Sequence, residues 1–135
     1  MTSGYSGTPL VKKLNLRDGM RVWFDAMPEH VIDEIDEYAL ELFFVADPAE
    51  GIDAAHIFVT DRAWLGAQLS TLRHQISPEG QIWVSWPKKA AKVETDITED
   101  TIREIALPMG LVDTKVCAID EVWSGLKLVI RKELR

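Results

Sequence analysis

The last two apolar runs of the chain, residues 112–119 and 126–132, are joined by residues 120–125 alone. A parallel return to the same sheet needs a crossover of roughly a dozen residues or more. These two strands must therefore pair antiparallel. Upstream, strand-like and helix-like segments mostly alternate, which calls for a largely parallel sheet covered on both faces. Together these constraints specify a three-layer α/β/α, Rossmann-like architecture. Its sheet has six strands, mostly parallel, with an antiparallel last strand.

The element boundaries follow from periodicity and punctuation. Residues 1–19 form an N-terminal segment, and residues 20–135 a single Rossmann-like domain. Thr8-Pro9 opens a short helix through Leu14, with Pro9 at its first position. Residues 21–24 are a first strand. Val31, Ile32, Ile35 and Tyr38 lie at helical spacing and predict an amphipathic helix over 28–39. Residues 41–46 contain the unbroken run Leu42-Phe43-Phe44-Val45, which predicts a second strand buried on both faces. Residues 54–59 are a third strand. Thr60 is placed to cap the next helix, with Asp61 near its positive end. Leu65, Leu69, Leu72 and Ile76 give that helix its core stripe. Pro78-Glu79-Gly80 predicts a turn into a fourth strand, where Ile82, Val84 and Trp86 alternate with Trp83 and Ser85. A polar loop over 88–97 follows. Thr98 then caps a helix whose buried face is Ile102, Ile105, Ala106 and Met109, ended by Pro108 and Gly110. Trp123-Ser124-Gly125 is read as the loop between the last two strands.

Charge and cysteine count exclude several classes. The net charge of −7 disfavours general binding to nucleic acid or to anionic membranes, since both need cationic surface. No apolar run reaches the length of a membrane span, so a cytoplasmic protein is expected. One cysteine, Cys117, excludes an internal disulfide; its apolar setting points to a buried, inert thiol. His30, His56 and His74 match no metal-ligand spacing, and no cofactor or structural metal is expected. His56 falls inside an apolar strand, as a core histidine would.

Parallel sheets bind ligands beyond the carboxyl ends of their strands. The fourth strand delivers Trp86 to that edge, followed by Pro87, Lys88 and Lys89, with Lys92 nearby. Two readings stand: capture of an anionic small molecule or acidic protein partner, with Trp86 as a stacking surface, or ordinary solvated lysines. With the fifth strand parallel to its neighbours, Trp123 and Ser124 open on the same edge, and the rings of Trp86 and Trp123 are expected to line one cleft. Ser124 lacks the strand-to-helix elbow of a nucleophile and reads as a turn hydroxyl. Asp96, Asp120 and Glu121 read as solvated loop acids. The oligomeric state is not specified; exposure of Trp23 or Trp64 would mark an interface.

The arrangement resembles class I S-adenosylmethionine-dependent methyltransferases. Ser77-Pro78-Glu79-Gly80-Gln81-Ile82-Trp83-Val84 is similar to the turn and fifth strand of those enzymes, and Gly110-Leu111-Val112-Asp113 to the entry of their sixth. More closely, Ser3-Gly4-Tyr5-Ser6-Gly7-Thr8-Pro9-Leu10, Val84-Ser85-Trp86-Pro87-Lys88-Lys89 and Asp120-Glu121-Val122-Trp123-Ser124-Gly125-Leu126-Lys127 resemble a bacterial family of small single-domain proteins without an assigned function. The methyltransferase resemblance implies a glycine-rich turn after the first strand, where backbone approaches the cofactor. This chain has Phe24-Asp25-Ala26-Met27-Pro28-Glu29 there. No glycine admits the close approach, Pro28 lacks an N–H, and Asp25 and Glu29 put negative charge at the helix start. Residues 47–53 are also too few for the usual third strand and its helix. Asp47 stands where the resemblance implies an acid for ribose hydroxyls, although an aspartate before proline is also a common turn residue. The expectation is a trimmed scaffold acting as a non-enzymatic binding or regulatory module. The alternative is a divergent methyltransferase or another enzyme using a nucleotide-like ligand.

Overall fold

The computed structural model describes residues 7–135, so residues 3–6 of the N-terminal motif lie outside the described residues. Helix α1 (Leu10–Lys13) precedes strand β1 (Arg21–Asp25). Helix α2 (Glu29–Asp36) and strand β2 (Phe43–Phe44) follow, then a 3₁₀ turn at Pro48–Glu50. The remainder is β3 (Ile52–Phe58), α3 (Arg62–Leu72), β4 (Ile76–Pro87), α4 (Glu99–Ala106), β5 (Leu111–Ala118) and β6 (Trp123–Ile130). The strands form one sheet in the order β2-β1-β3-β4-β6-β5. β2, β1, β3 and β4 are mutually parallel, and β6 runs antiparallel to both β4 and β5.

The alternation seen in the fourth strand divides the core in two. Ile82, Val84 and Trp86 pack with Leu65, Leu69 and Leu72 of α3 and Ile102 and Ala106 of α4. Trp83 turns to the other face, with Leu10, Val11, Val31 and Ile35 of α1 and α2. Each such buried aliphatic side chain contributes about 1.5–3 kcal/mol. Helix α1 has only four residues and could not persist alone. The Leu14 carbonyl at its end accepts the Trp83 indole N–H at 3.0 Å and the Gln81 amide at 2.7 Å. Trp83 can lie flat there because residue 125 is glycine: a Cβ on Gly125 would stand 3.1 Å from the ring and 3.0 Å from Ile119.

Several expectations need correction. The second strand is short and lies at the sheet edge, with Phe43 and Phe44 each 59% exposed rather than buried on both faces. The chain returns from β2 through the Pro48–Glu50 turn straight into β3, so among the described residues no further strand lies outside β2 to cover it. Asp61, not Thr60, caps α3, its carboxylate accepting the Trp64 N–H at 2.7 Å. Ile76 starts β4 instead of ending the helix stripe. Pro78 to Gly80 are not a turn but part of a β-bulge: the pairing jumps from Ile52↔Ile76 to Ala54↔Gln81. Trp123, Ser124 and Gly125 belong to β6 itself. β6 is inserted between β4 and β5, so β5 is an edge strand with an antiparallel neighbour, not a parallel one.

Candidate functional site

The carboxyl ends of β1, β3 and β4 meet the β5–β6 turn at one edge of the sheet. The first turn there follows β1. Ala26 has φ +57°, a left-handed backbone that costs a residue with a Cβ about 1–2 kcal/mol. Pro28 precedes α2 without an N–H, and Glu29 lies in the first helical turn. The position that favours glycine therefore carries a methyl group, and the positive end of α2 already faces a carboxylate.

His30, one residue further on, reaches across to the β5–β6 turn. Its Nε2 lies 2.6 Å from Asp120 Oδ2. The other Asp120 oxygen accepts the N–H groups of Val122 and Trp123 at 2.8 and 2.7 Å. Asp120 is buried, so it is not the solvated loop acid that the sequence implied. One carboxylate thus shapes the turn and clasps it to the start of α2. The Lys88 N–H, donating to the Val122 carbonyl at 2.7 Å, fixes the same turn to the end of β4.

Beneath this clasp lies a row of rings. His56 stacks on Phe58 at 4.5 Å, and Phe58 meets Trp123 edge-on at 5.1 Å. Phe24 lies edge-on to both His56 and Phe44. His56 is fully enclosed, with Nε2 2.6 Å from the Ser85 hydroxyl. Burial pushes its pKa down to about 3, so the ring is neutral at physiological pH. A neutral imidazole beside a buried hydroxyl, packed between aromatic rings, acts as a core hydrogen-bonding pair.

The sequence-predicted residues separate in space. Trp86 is buried against α3 and α4, whereas Trp123 packs on the α2 face. The two rings lie on opposite sides of the sheet and do not line one cleft. Ser124 sits in the ladder between Trp86 and Ala118. Asp47 caps the Pro48–Glu50 turn: its carboxylate accepts the Ala49 N–H at 2.9 Å, and Glu50 returns the bond to the Asp47 N–H. Lys88 and Lys89 leave β4 on this edge, Lys88 half-buried and Lys89 exposed, and neither ammonium is ion-paired among the described residues. Cys117 is half-buried rather than buried, and burial raises its pKa against the pull of Lys13 and Lys115. Trp64 is 51% exposed at the start of α3. Among the described residues no group of three or more His, Cys, Asp or Glu side chains is placed to hold a metal ion. No helix among them is long and apolar enough to cross a membrane. Sequence reading missed the His30–Asp120 pair because its members lie far apart in the chain and carry no local signature.

A family profile described as "Protein of unknown function (DUF3052)" matches residues 12–132. The chain belongs to this family. No curated protein matches it. Among solved structures it is similar to an S-adenosylmethionine-dependent methyltransferase from Aquifex aeolicus, with TM-score 0.58 and 13% identity over 90% of this chain and 88% of that one. A putative methyltransferase from Thermoplasma acidophilum gives TM-score 0.58 and 10% identity over 87% and 70% of the two chains. The ribosomal protein L11 methylase from Lactobacillus delbrueckii subsp. bulgaricus gives TM-score 0.54 and 10% identity over 90% and 75%. At such identities the likeness establishes a methyltransferase-like fold and leaves activity open.

Proposed function

We propose that this DUF3052 protein is a binding or regulatory module without catalysis of its own, built on a degenerate methyltransferase-like scaffold. The observation that carries this reading is the first turn. Ala26 holds a methyl group in a left-handed backbone, Pro28 supplies no N–H, Glu29 occupies the helix start, and the His30–Asp120 clasp ties that start to the β5–β6 turn. Each feature opposes the seating of a carboxylate-bearing cofactor tail. The unpaired Lys88 and Lys89 beside this edge suit an anionic small molecule or an acidic partner. A pair of cations facing one desolvated anion binds it more strongly than isolated surface lysines would.

A thermal-shift screen over nucleotides, S-adenosyl compounds and acidic metabolites tests this reading. Lys88→Ala with Lys89→Ala is expected to abolish the shift given by an acidic metabolite that carries no phosphate, while moving the ligand-free Tm by no more than about 1 °C. A large Tm loss with unchanged binding would overturn the assignment of this edge.

A divergent S-adenosylmethionine-dependent methyltransferase is the second reading, favoured by the fold and by Ala26, which keeps the left-handed turn a glycine would adopt. Methyl transfer from labelled donor to any co-purified or supplied acceptor would select it.

A further inference from the structure

A second group of cations lies on the α1 face, toward the opposite end of the strands. Lys127 in β6 stands directly across from Lys115 in β5. Like charges directly opposed on a sheet face are destabilising, and the ladder prevents either backbone from moving away. Their ammonium groups meet neutral oxygens: Lys115 Nζ donates to the Lys13 carbonyl at 2.6 Å, and Lys127 Nζ donates to Asn15 Oδ1 at 3.2 Å. Burial first, then the charges of Lys115 and Arg17, lower the pKa of Lys127. Among the described residues Lys12, Arg17, Lys115 and Lys127 have no carboxylate partner. In a chain of net charge −7, this leaves a cluster of cations that form no ion pair among the described residues.

The cluster borders a cleft. It has a volume of about 390 Å³, with Lys12, Arg17 and Lys127 as its cations and Asn15 and Gln81 as its amides. Its one carboxylate, Glu79, is 82% exposed and already lies 3.4 Å from Arg135. The size falls within the range of about 300–1,000 Å³ usual for small-molecule sites. A monovalent anion would offset only part of the charge gathered from α1, the following loop and β6. A phosphate or pyrophosphate group would offset it and accept several charge-assisted hydrogen bonds at once. Extended nucleic acid fits poorly, because its remaining phosphates would meet the acidic surface. We propose that this cleft binds a small phosphorylated molecule, at a site separate from Lys88 and Lys89.

The test is calorimetry on the full chain with inorganic pyrophosphate at low ionic strength. Saturable binding is expected with Kd below about 1 mM, weakened about tenfold or more by Lys127→Met and by Arg17→Ala. The Lys88→Ala/Lys89→Ala variant is expected to bind within about twofold of the parent, since it leaves the cleft intact. Without pyrophosphate, Lys127→Met is expected to melt at or above the parent Tm, because it removes a like-charge pair. Arg17→Ala, on an exposed loop, decides the question if Lys127→Met fails to fold. Absence of binding up to about 5 mM, or parent-like affinity in both cleft variants, would overturn the proposal. So would loss of binding in the Lys88/Lys89 variant alone, which would assign the anion to the other edge.

Discussion

His56 makes stability depend on acid in a way that can be worked out in advance. Its pKa in the folded chain is about 3, lowered by burial from an ordinary 6.5. Above pH 6.5 the ring is neutral folded or unfolded, and the full stability is present. Between pH 6.5 and 3 only the unfolded chain takes up the proton, so stability falls as pH falls, by about 1.4 kcal/mol per pH unit. Below pH 3 both states are protonated and the loss stops growing. At pH 4.5 the His56 contribution is therefore a loss on the order of 3 kcal/mol. For a domain of this size that corresponds to roughly 10 °C in Tm. Carboxylates titrate in the same window, so the measurement is a comparison. Wild type and His56→Gln are melted from pH 7 to pH 4.5; glutamine retains an amide to meet the Ser85 hydroxyl and does not titrate. His56→Gln is expected to be less stable at pH 7 but to lose about 3 kcal/mol less on acidification. Parallel pH curves for the two proteins would refute the reasoning and would mean that His56 is hydrated or paired in solution.

Asp120→Ala strands the N–H groups of Val122 and Trp123 and is expected to cost about 2–4 kcal/mol by denaturant unfolding. His30→Ala should cost under about 1 kcal/mol, since its ring is largely exposed; equal losses would mean that the clasp, not the turn, is the stabilising element. Gly125→Ala pushes a methyl group against Trp83 and should cost about 1–3 kcal/mol, with a change in near-ultraviolet circular dichroism. Ala26→Gly relieves the left-handed backbone and should raise stability by about 0.5–1 kcal/mol; a loss would show that the Ala26 methyl is packed rather than strained.

Much of the fold was legible because it rests on local rules. The short link after residue 119 forced an antiparallel end, and Thr98 caps α4 as its position implied. The errors arose where context overrode a local signal. Phe43 and Phe44 read as buried because apolar runs usually are, yet among the described residues no strand beyond β2 covers that edge. Pro78 to Gly80 are turn formers used here to bulge a strand. Trp123 joined the ladder because Asp120 tightens the turn before it. At the site, the excess of cations after β4 was readable, but which face each tryptophan takes required the register of β4 against β6. The cationic cleft draws on three separate segments. Its one local sign was Lys127, a lysine between Leu126 and Leu128 in an otherwise apolar strand.

Whether the edge beside Ala26 accepts a methyl donor separates the binding module from the methyltransferase. The direct measurement is a titration of the isotopically labelled chain with S-adenosylhomocysteine, following the amide resonances of Ala26, Met27 and Glu29. A closed turn leaves those resonances in place up to millimolar ligand. Saturable shifts at these three amides, with a micromolar Kd, would contradict it and restore the enzyme reading.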